Sequence, residues 1–123
     1  MLPLWLAPTQ LRILPVRPEH NAGAIQLAER LAALEIRVDV DDRNRNLGLK
    51  RKRAAEQWIP FVMTFGDRES SGSFPVTNRE SSNLETMSSE ALATLFRILR
   101  GDHPWIGPLY PLALSRRPGF ASL

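Results

Sequence analysis

The sequence predicts a single α/β domain in which a mixed sheet carries three helices on its faces. A chain of 123 residues is of ordinary single-domain size. Its 43% apolar and 24% charged residues are typical of a folded globular protein. Apolar segments of strand length alternate with amphipathic segments, and two strand-like segments follow each other near the middle. That order requires both parallel and antiparallel neighbours in one sheet.

The first three predicted elements are a strand, a helix and a strand. Residues 10–16, QLRILPV, form a short β-rich run, and the proline of RPEH after it favours a helix start. Apolar residues recur at the helical period from Asn21 to Glu35, which predicts an amphipathic helix. Ile36 to Asp41 alternates apolar and charged residues. We expect a strand there with one covered face and aspartates at its carboxyl end.

The second helix is predicted from about Leu47 to Trp58, with Asn46 as its N-cap and Pro60 ending it. The stripe predicted to face inward consists of Leu47, Ala54, Ala55 and Trp58. The opposite polar face consists of Lys50, Arg53 and Gln57. Trp58 is therefore expected in the core, and stacking on a nucleic-acid base is the alternative.

The second half of the chain predicts two strands and a helix. Phe61 to Asp67 is a nearly unbroken apolar run, typical of a central strand, and SSGSFPVTNR predicts a hairpin turn into an edge strand that tolerates Pro75. Ser88 should cap the third helix and Gly101 should end it. Residues 102–120 contain four prolines, so we expect an extended tail rather than a helix.

A dense run of cations follows the second predicted strand. Six arginines and lysines lie between residues 43 and 53 with no acid among them, although the net charge of the chain is only +3. A solvated helix face is one explanation. An anionic partner is the other, and nucleic acid is favoured over an acidic membrane because no bulky exposed apolar groups accompany the cations. In open α/β sheets ligands bind at the carboxyl ends of strands, where this run begins.

Other kinds of site find less support. The aspartates at 39, 41 and 42 suggest magnesium, but alternation divides them between two faces and no phosphate-binding glycine loop is present. The chain has no cysteine, so neither disulfides nor thiolate metal sites are expected. His20 and His103 are interpreted as turn or surface residues. The opening MLPLWLAP is too short for a signal peptide, and no long apolar run suggests a membrane span. We expect a cytoplasmic protein.

Specific motifs favour the nucleic-acid interpretation. The segment DDRNRNLGLKRK resembles the D-x-R-N-x-x-x-G-x-K signature of the anticodon-binding domain of class IIa aminoacyl-tRNA synthetases. Four further segments agree in order: LPLWLAPTQLRILPV at the junction with a catalytic domain, EQWIPFVMTFGDRE, TMSSEAL, and the proline-rich PLYPLALSRRPGF. Together they are similar to the C-terminal domain of archaeal-type threonyl-tRNA synthetases. This resemblance implies a mixed, mostly parallel sheet of about five strands flanked by three helices.

The resemblance also implies what each residue does. Asn44 of the signature and Glu69 would read anticodon bases of threonine tRNA. Gly48 would allow close approach of a helix or of the RNA backbone. Phosphate contacts would come from Arg43, Arg45, Lys50, Arg51 and Arg53. Where bacterial members carry arginines, this chain has Trp58 and, near the edge strand, Thr77 with Arg79 two residues on, so Trp58 and Arg79 are further candidate tRNA contacts.

The domain boundaries implied are a junction at residues 1–9, the anticodon-binding domain at 10–102 and a tail at 103–123 that packs on it. ATP, magnesium and zinc would belong to a catalytic domain that this chain lacks, so we expect tRNA binding without catalysis by the chain alone. The partners implied are threonine tRNA, the catalytic domain in cis or in trans, and a homodimer through the full-length enzyme. The alternatives are a stand-alone module that recruits tRNA or a synthetase, and an unrelated small α/β enzyme that uses the aspartates.

Overall fold

The structure is a computed structural model that describes residues 7, 9–43, 45–66, 73–78, 83–101 and 113–114. The described strands are β1 (Leu11–Pro15), β2 (Val38–Val40), β3 (Phe61–Phe65), β4 (Ser73–Asn78) and β5 (Asn83–Ser88). The described helices are α1 (Asn21–Ala33), α2 (Leu47–Glu56) and α3 (Ser89–Arg100), with a 3-10 turn at Pro18–His20 before α1.

The strands form one sheet in the order β2-β1-β3-β4-β5. β1 pairs in parallel with β2 and β3, whereas the β3–β4 and β4–β5 pairs are antiparallel. The predicted α/β fold with a mixed sheet, and β3 as its central strand, is confirmed. Parallel pairs make up half of the pairings and do not predominate, because β3, β4 and β5 are antiparallel neighbours in chain order.

Helices cover both faces of the sheet. The core cluster joins α1 and α3 to alternate residues of the strands, and the rings of Phe61 and Phe96 meet edge to face at 5.1 Å. On β1 these inward residues are Leu11 and Ile13, so Arg12 between them points to the opposite face. Its guanidinium donates to the side chain of Gln57 just after α2. α1 and α3 therefore lie on one face and α2 on the other.

The predicted helix ends are confirmed where local chemistry sets them. Asn46 caps α2, and its Oδ1 accepts from the backbone N–H of Leu49 at 2.8 Å. Ser88 caps α3 in the same way, with its Oγ 3.2 Å from the Ala91 nitrogen. Gly101 follows α3 with φ of 59°, a conformation that glycine adopts without steric cost.

Two predictions about the strands are wrong, and one strand was not predicted. All three residues of β2 are buried, because Val38 and Val40 belong to the core cluster and Asp39 on the other face is bound by Arg12 and Thr9. β4 is not an edge strand, since β5, which was not predicted, lies outside it. β4 still tolerates Pro75 because its ladder with β3 runs only from Asn78 to Val76.

The remaining described residues lie in the two terminal segments of the chain. Ala113 forms an isolated parallel bridge with Val40, and Leu114 beside it is fully buried, so this part of the predicted tail packs on the domain at the free edge of β2. Ala7 and Thr9 of the predicted junction are also buried. The rest of both segments lies outside the described residues. Among the described helices, none has the length and apolar character needed to cross a bilayer.

Candidate nucleic-acid interface

The candidate site lies at the edge of the sheet where β1, β2 and β3 end, which we call the carboxyl edge. These three strands run in the same direction, and their order places β1 between β2 and β3. The connection after β1 turns to one side and the connection after β2 crosses to the other, which leaves a crevice where ligands commonly bind. The backbone N–H of Val16 donates to the Phe65 carbonyl at 2.9 Å and holds two of these strand ends together.

A buried ion pair begins the loop after β2. Arg43 donates from Nε to Asp41 Oδ1 at 2.8 Å and from Nη2 to Oδ2 at 2.7 Å. The Arg43 side chain is 4% exposed and that of Asp41 is fully buried. These hydrogen bonds raise the pKa of Arg43, an effect larger than the opposing desolvation. The pair is charge-assisted and bidentate, which is a strong and directional arrangement.

Lys50 is the second buried cation of this edge. It lies in the first turns of α2, is 3% exposed, and donates from Nζ to the backbone carbonyl of Pro15 at 3.0 Å. Burial lowers the pKa of Lys50, and the nearby carboxylates of Asp41 and Asp42 offset part of that effect. Lys50 therefore ties α2 to the end of β1.

The predicted phosphate contacts thus fall into two groups. Arg43 and Lys50 are buried and bound to protein groups, so they present no cation to solvent in this structure. Arg45 and Arg51 are exposed. Arg53 is half-exposed, and its Nη1 forms an ion pair with Glu56 Oε2 at 3.1 Å. Lys52, which belongs to the same run, is exposed as well.

The residues predicted to read bases lie outside the described part of the chain. These are Asn44 and Glu69, and the further candidate Arg79 does too. The described neighbours of position 44 are nevertheless well fixed, because the Arg45 backbone N–H donates to the Arg43 carbonyl at 2.8 Å. Gly48 is exposed, and a Cβ there would meet only Asn46 Oδ1, at an ordinary 3.5 Å. No described protein group therefore requires glycine at 48.

The inward face of α2 was predicted only in part. Ala54 is buried as predicted, but Lys50 of the predicted polar face is buried as well, whereas Ala55 is exposed. Trp58 lies beyond the end of the helix, adopts φ of 58° and is 63% exposed, so it is not a core residue. The helix presents polar side chains to the sheet because the strand face beneath it carries buried charges.

Those charges belong to Arg12 and Asp39, which sequence reasoning missed as a pair. They are register partners on β1 and β2, and Arg12 donates from Nε and Nη2 to the two carboxylate oxygens at 2.9 and 3.0 Å. Thr9 donates its hydroxyl to the same carboxylate at 3.1 Å. Opposite charges at matching positions of two otherwise apolar strands were the available signal.

The predicted metal and histidine alternatives can be placed as well. Asp39 and Asp41 are each bound by an arginine, and within the described ranges no three acidic or histidine side chains form a group that could hold a metal ion. His20 lies in the 3-10 turn as predicted, but it is buried. Its Nδ1 accepts from the Arg17 backbone N–H at 3.3 Å, and its ring meets Phe65 edge to face. His103 lies outside the described residues.

Comparison with known proteins agrees with this geometry. Residues 10–98 match the family described as the anticodon binding domain. The chain belongs to the anticodon-binding domain family. It is 42% identical to the threonine–tRNA ligase of Methanothrix thermoacetophila and 39% identical to that of Pyrococcus horikoshii, in each case over 98% of its length. The resemblance to threonyl-tRNA synthetases is confirmed.

The fold of this anticodon-binding domain is also found among solved structures. The RNA-binding domain of threonyl-tRNA synthetase from Cryptosporidium parvum superposes with a TM-score of 0.74 over 80% of this chain and 25% of that one, at 18% identity. That similarity shows the fold. The chain spans about one fifth of the length of the two ligases, 20% and 19%.

Proposed function

We propose that this domain binds the anticodon stem-loop of threonine tRNA as the non-catalytic part of a threonine–tRNA ligase. The observation that carries the proposal is the combination of family membership with the cationic carboxyl edge around position 44. RNA sequence is read chiefly in single-stranded loops, and an asparagine offers both a donor and an acceptor to a base edge. Asn44 and Glu69 are the proposed base-reading residues.

The exposed cations supply the phosphate contacts in this proposal. Arg45 and Arg51 lie on either side of the Asn46 cap, and Arg53 lies farther along α2. Such contacts fix the register of the RNA without reading its sequence. The exposed backbone at Gly48 supports close approach of RNA, because no described protein group takes up the space of its missing side chain.

Trp58 is proposed as an additional tRNA contact. An indole that is 63% exposed is unusual on a surface that serves only solubility. Its backbone lies in the left-handed region, which is costly for a bulky residue and is often retained for function. Stacking of an unpaired base on the indole is the proposed interaction. Arg79 keeps the candidate role that the sequence gave it.

The salt dependence of tRNA binding tests the electrostatic part of the proposal. The logarithm of the affinity for threonine tRNA should fall with the logarithm of salt concentration by about 0.7 per phosphate contact. Arg45→Gln and Arg51→Gln should each reduce that slope by about 0.7 and weaken all tRNAs alike. Arg30→Gln is the control, since Arg30 is an exposed arginine of α1, on the other face of the sheet. An equal effect of Arg30→Gln would show diffuse attraction and contradict a defined interface.

A further inference from the structure

The ion pair between Asp41 and Arg43 lies at the root of the loop that carries Asn44. Both oxygens of Asp41 are engaged by the Arg43 guanidinium, and Oδ1 also lies 3.4 Å from the Arg43 backbone nitrogen. One carboxylate therefore fixes the side chain and the backbone of the residue that immediately precedes Asn44. Because the pair is buried, solvent screens it little.

A series of further contacts ties this pair to the sheet and to α2. The Asp41 backbone N–H donates to the Ile13 carbonyl of β1 at 3.0 Å. On the other side of position 44, the Arg45 backbone N–H donates to the Arg43 carbonyl, as described above. Lys50 of α2 then returns to β1 through its bond to the Pro15 carbonyl. The contacts begin and end on β1, so the chain on both sides of position 44 is anchored to the same strand.

A direct phosphate contact by Arg43 conflicts with this geometry. To reach a phosphate, the guanidinium would have to leave Asp41, whose carboxylate is fully buried. A buried charge deprived of its partner is strongly unfavourable, and the exposed cations Arg51 and Lys52 are close by in the same run.

We propose that Arg43 and Asp41 are positioning residues that fix the backbone next to position 44, on which base reading by Asn44 depends, and that Arg43 is not a phosphate ligand. This inference rests on the proposed function, in which Asn44 reads a base. It assigns to Arg43 of the cationic run, and to Asp41 just before that run, a role that neither net charge nor phosphate binding requires. The loss of either partner should therefore reduce selectivity among tRNAs more than it reduces binding to all of them.

The test uses Asp41→Asn in the full chain, with Asp42→Asn as the matched control. Both substitutions remove one negative charge, and Asp42 is the half-buried neighbour of Asp41. If charge alone matters, both variants should bind every tRNA more tightly. If the pair positions Asn44, only Asp41→Asn should reduce the preference for threonine tRNA over an anticodon-swapped tRNA, by about fivefold or more, the lower end for loss of one base-edge contact.

Two further measurements make the outcome decisive. Arg43→Gln should reduce the same preference and leave the salt slope unchanged, whereas a phosphate ligand would reduce the slope by about 0.7 with the preference intact. Hydrogen exchange of the Arg45 amide should be faster in Asp41→Asn than in Asp42→Asn, and this remains measurable if the Arg43 variant does not fold. Unchanged exchange, or faster exchange with unchanged preference, would overturn the positioning role. A wild-type chain without any anticodon preference would instead overturn the proposed function itself.

Discussion

Two asparagines at the start of α2 are expected to have different roles. The N-cap contact belongs to Asn46, whose Oδ1 satisfies the Leu49 N–H. Asn44, two residues earlier, is the proposed base reader. Since Asn46 caps α2 as predicted, the proposed role of Asn44 does not compete with helix capping.

The two asparagines can be separated by substitution. Asn46→Ala should lower the free energy of unfolding by about 1 kcal/mol, because a helix N–H loses its acceptor, and should leave tRNA preference intact. Asn44→Ala should leave the free energy of unfolding nearly unchanged and narrow the affinity gap between threonine tRNA and an anticodon-swapped tRNA by about 1–3 kcal/mol. Denaturant unfolding and tRNA titration of both variants measure this. If Asn44→Ala lowered the free energy of unfolding and left the tRNA preference intact, Asn44 would have only a structural role.

Lys50 gives the domain a defined pH dependence. Its pKa in the folded chain is lowered below the ordinary 10.5 by burial. Between that lowered pKa and 10.5 the unfolded chain binds more protons at this group than the folded chain does, so the group adds stability as pH rises through this window. The wild type should therefore gain stability relative to Lys50→Met on alkaline titration, whereas Lys52→Met, which removes an exposed lysine, is the matched control. Parallel curves for the wild type and Lys50→Met would exclude this effect.

Sequence alone placed these residues only in part. The run of cations and the D-x-R-N signature correctly located the loop, because both are local features. Which cations are buried could not be predicted, since the partners of Arg43 and Lys50 are a carboxylate two residues away and a carbonyl 35 residues away on β1. Arg43 and Lys50 differ from the exposed Arg51 in these contacts, which the composition of the run does not reveal.

At the scale of elements, the pair Arg12–Asp39 joins β1, β2 and the end of α2. Arg12 binds Asp39 on the neighbouring strand and Gln57 just after the helix. Lys50 of the same helix also faces the sheet, where its Nζ donates to the Pro15 carbonyl of β1. Helical periodicity alone favoured the apolar stripe, because it carries no information about charges buried on another element.

Breaking this pair should be costly, and removing both partners less so. Arg12→Met leaves the Asp39 carboxylate buried without its cation and should destabilise the domain by about 3–5 kcal/mol. The double variant Arg12→Met with Asp39→Leu leaves no buried charge, so its loss should be smaller than that of Arg12→Met alone. Urea unfolding of the single and double variants measures the coupling. Losses that simply add would contradict the buried pair.

For α3 and β5, too, the sequence predicted one feature and missed another. Ser88 and Gly101 were predicted as the ends of α3 because caps depend on a few neighbouring residues. β5 was missed because NLETMS lacks a strong strand pattern and is set by its pairing with β4. Adding β5 also moves β4 from the edge of the sheet to an interior position.

At the scale of the whole molecule, the two faces of the sheet have different compositions. The face under α1 and α3 holds the apolar core, whereas the face under α2 holds a buried ion pair and carries the cationic helix. The loop between β2 and α2 begins at the carboxyl edge, where Asp41 is bound to β1 through its backbone and to Arg43 through its side chain. In the proposed function, the bonded residues on either side of position 44 support the base reader, and the exposed cations would attract RNA.

Anticodon preference tests this account most directly. The measurement is the ratio of the affinities of the purified chain for threonine tRNA and for the same tRNA body carrying another anticodon, at fixed salt. One good base-edge contact is worth about 1–3 kcal/mol, so the ratio should be at least about fivefold in favour of the threonine anticodon. Equal affinities for the two tRNAs at every salt concentration would contradict base reading by this domain. Electrostatic attraction to the cationic face would then be the only explanation for binding.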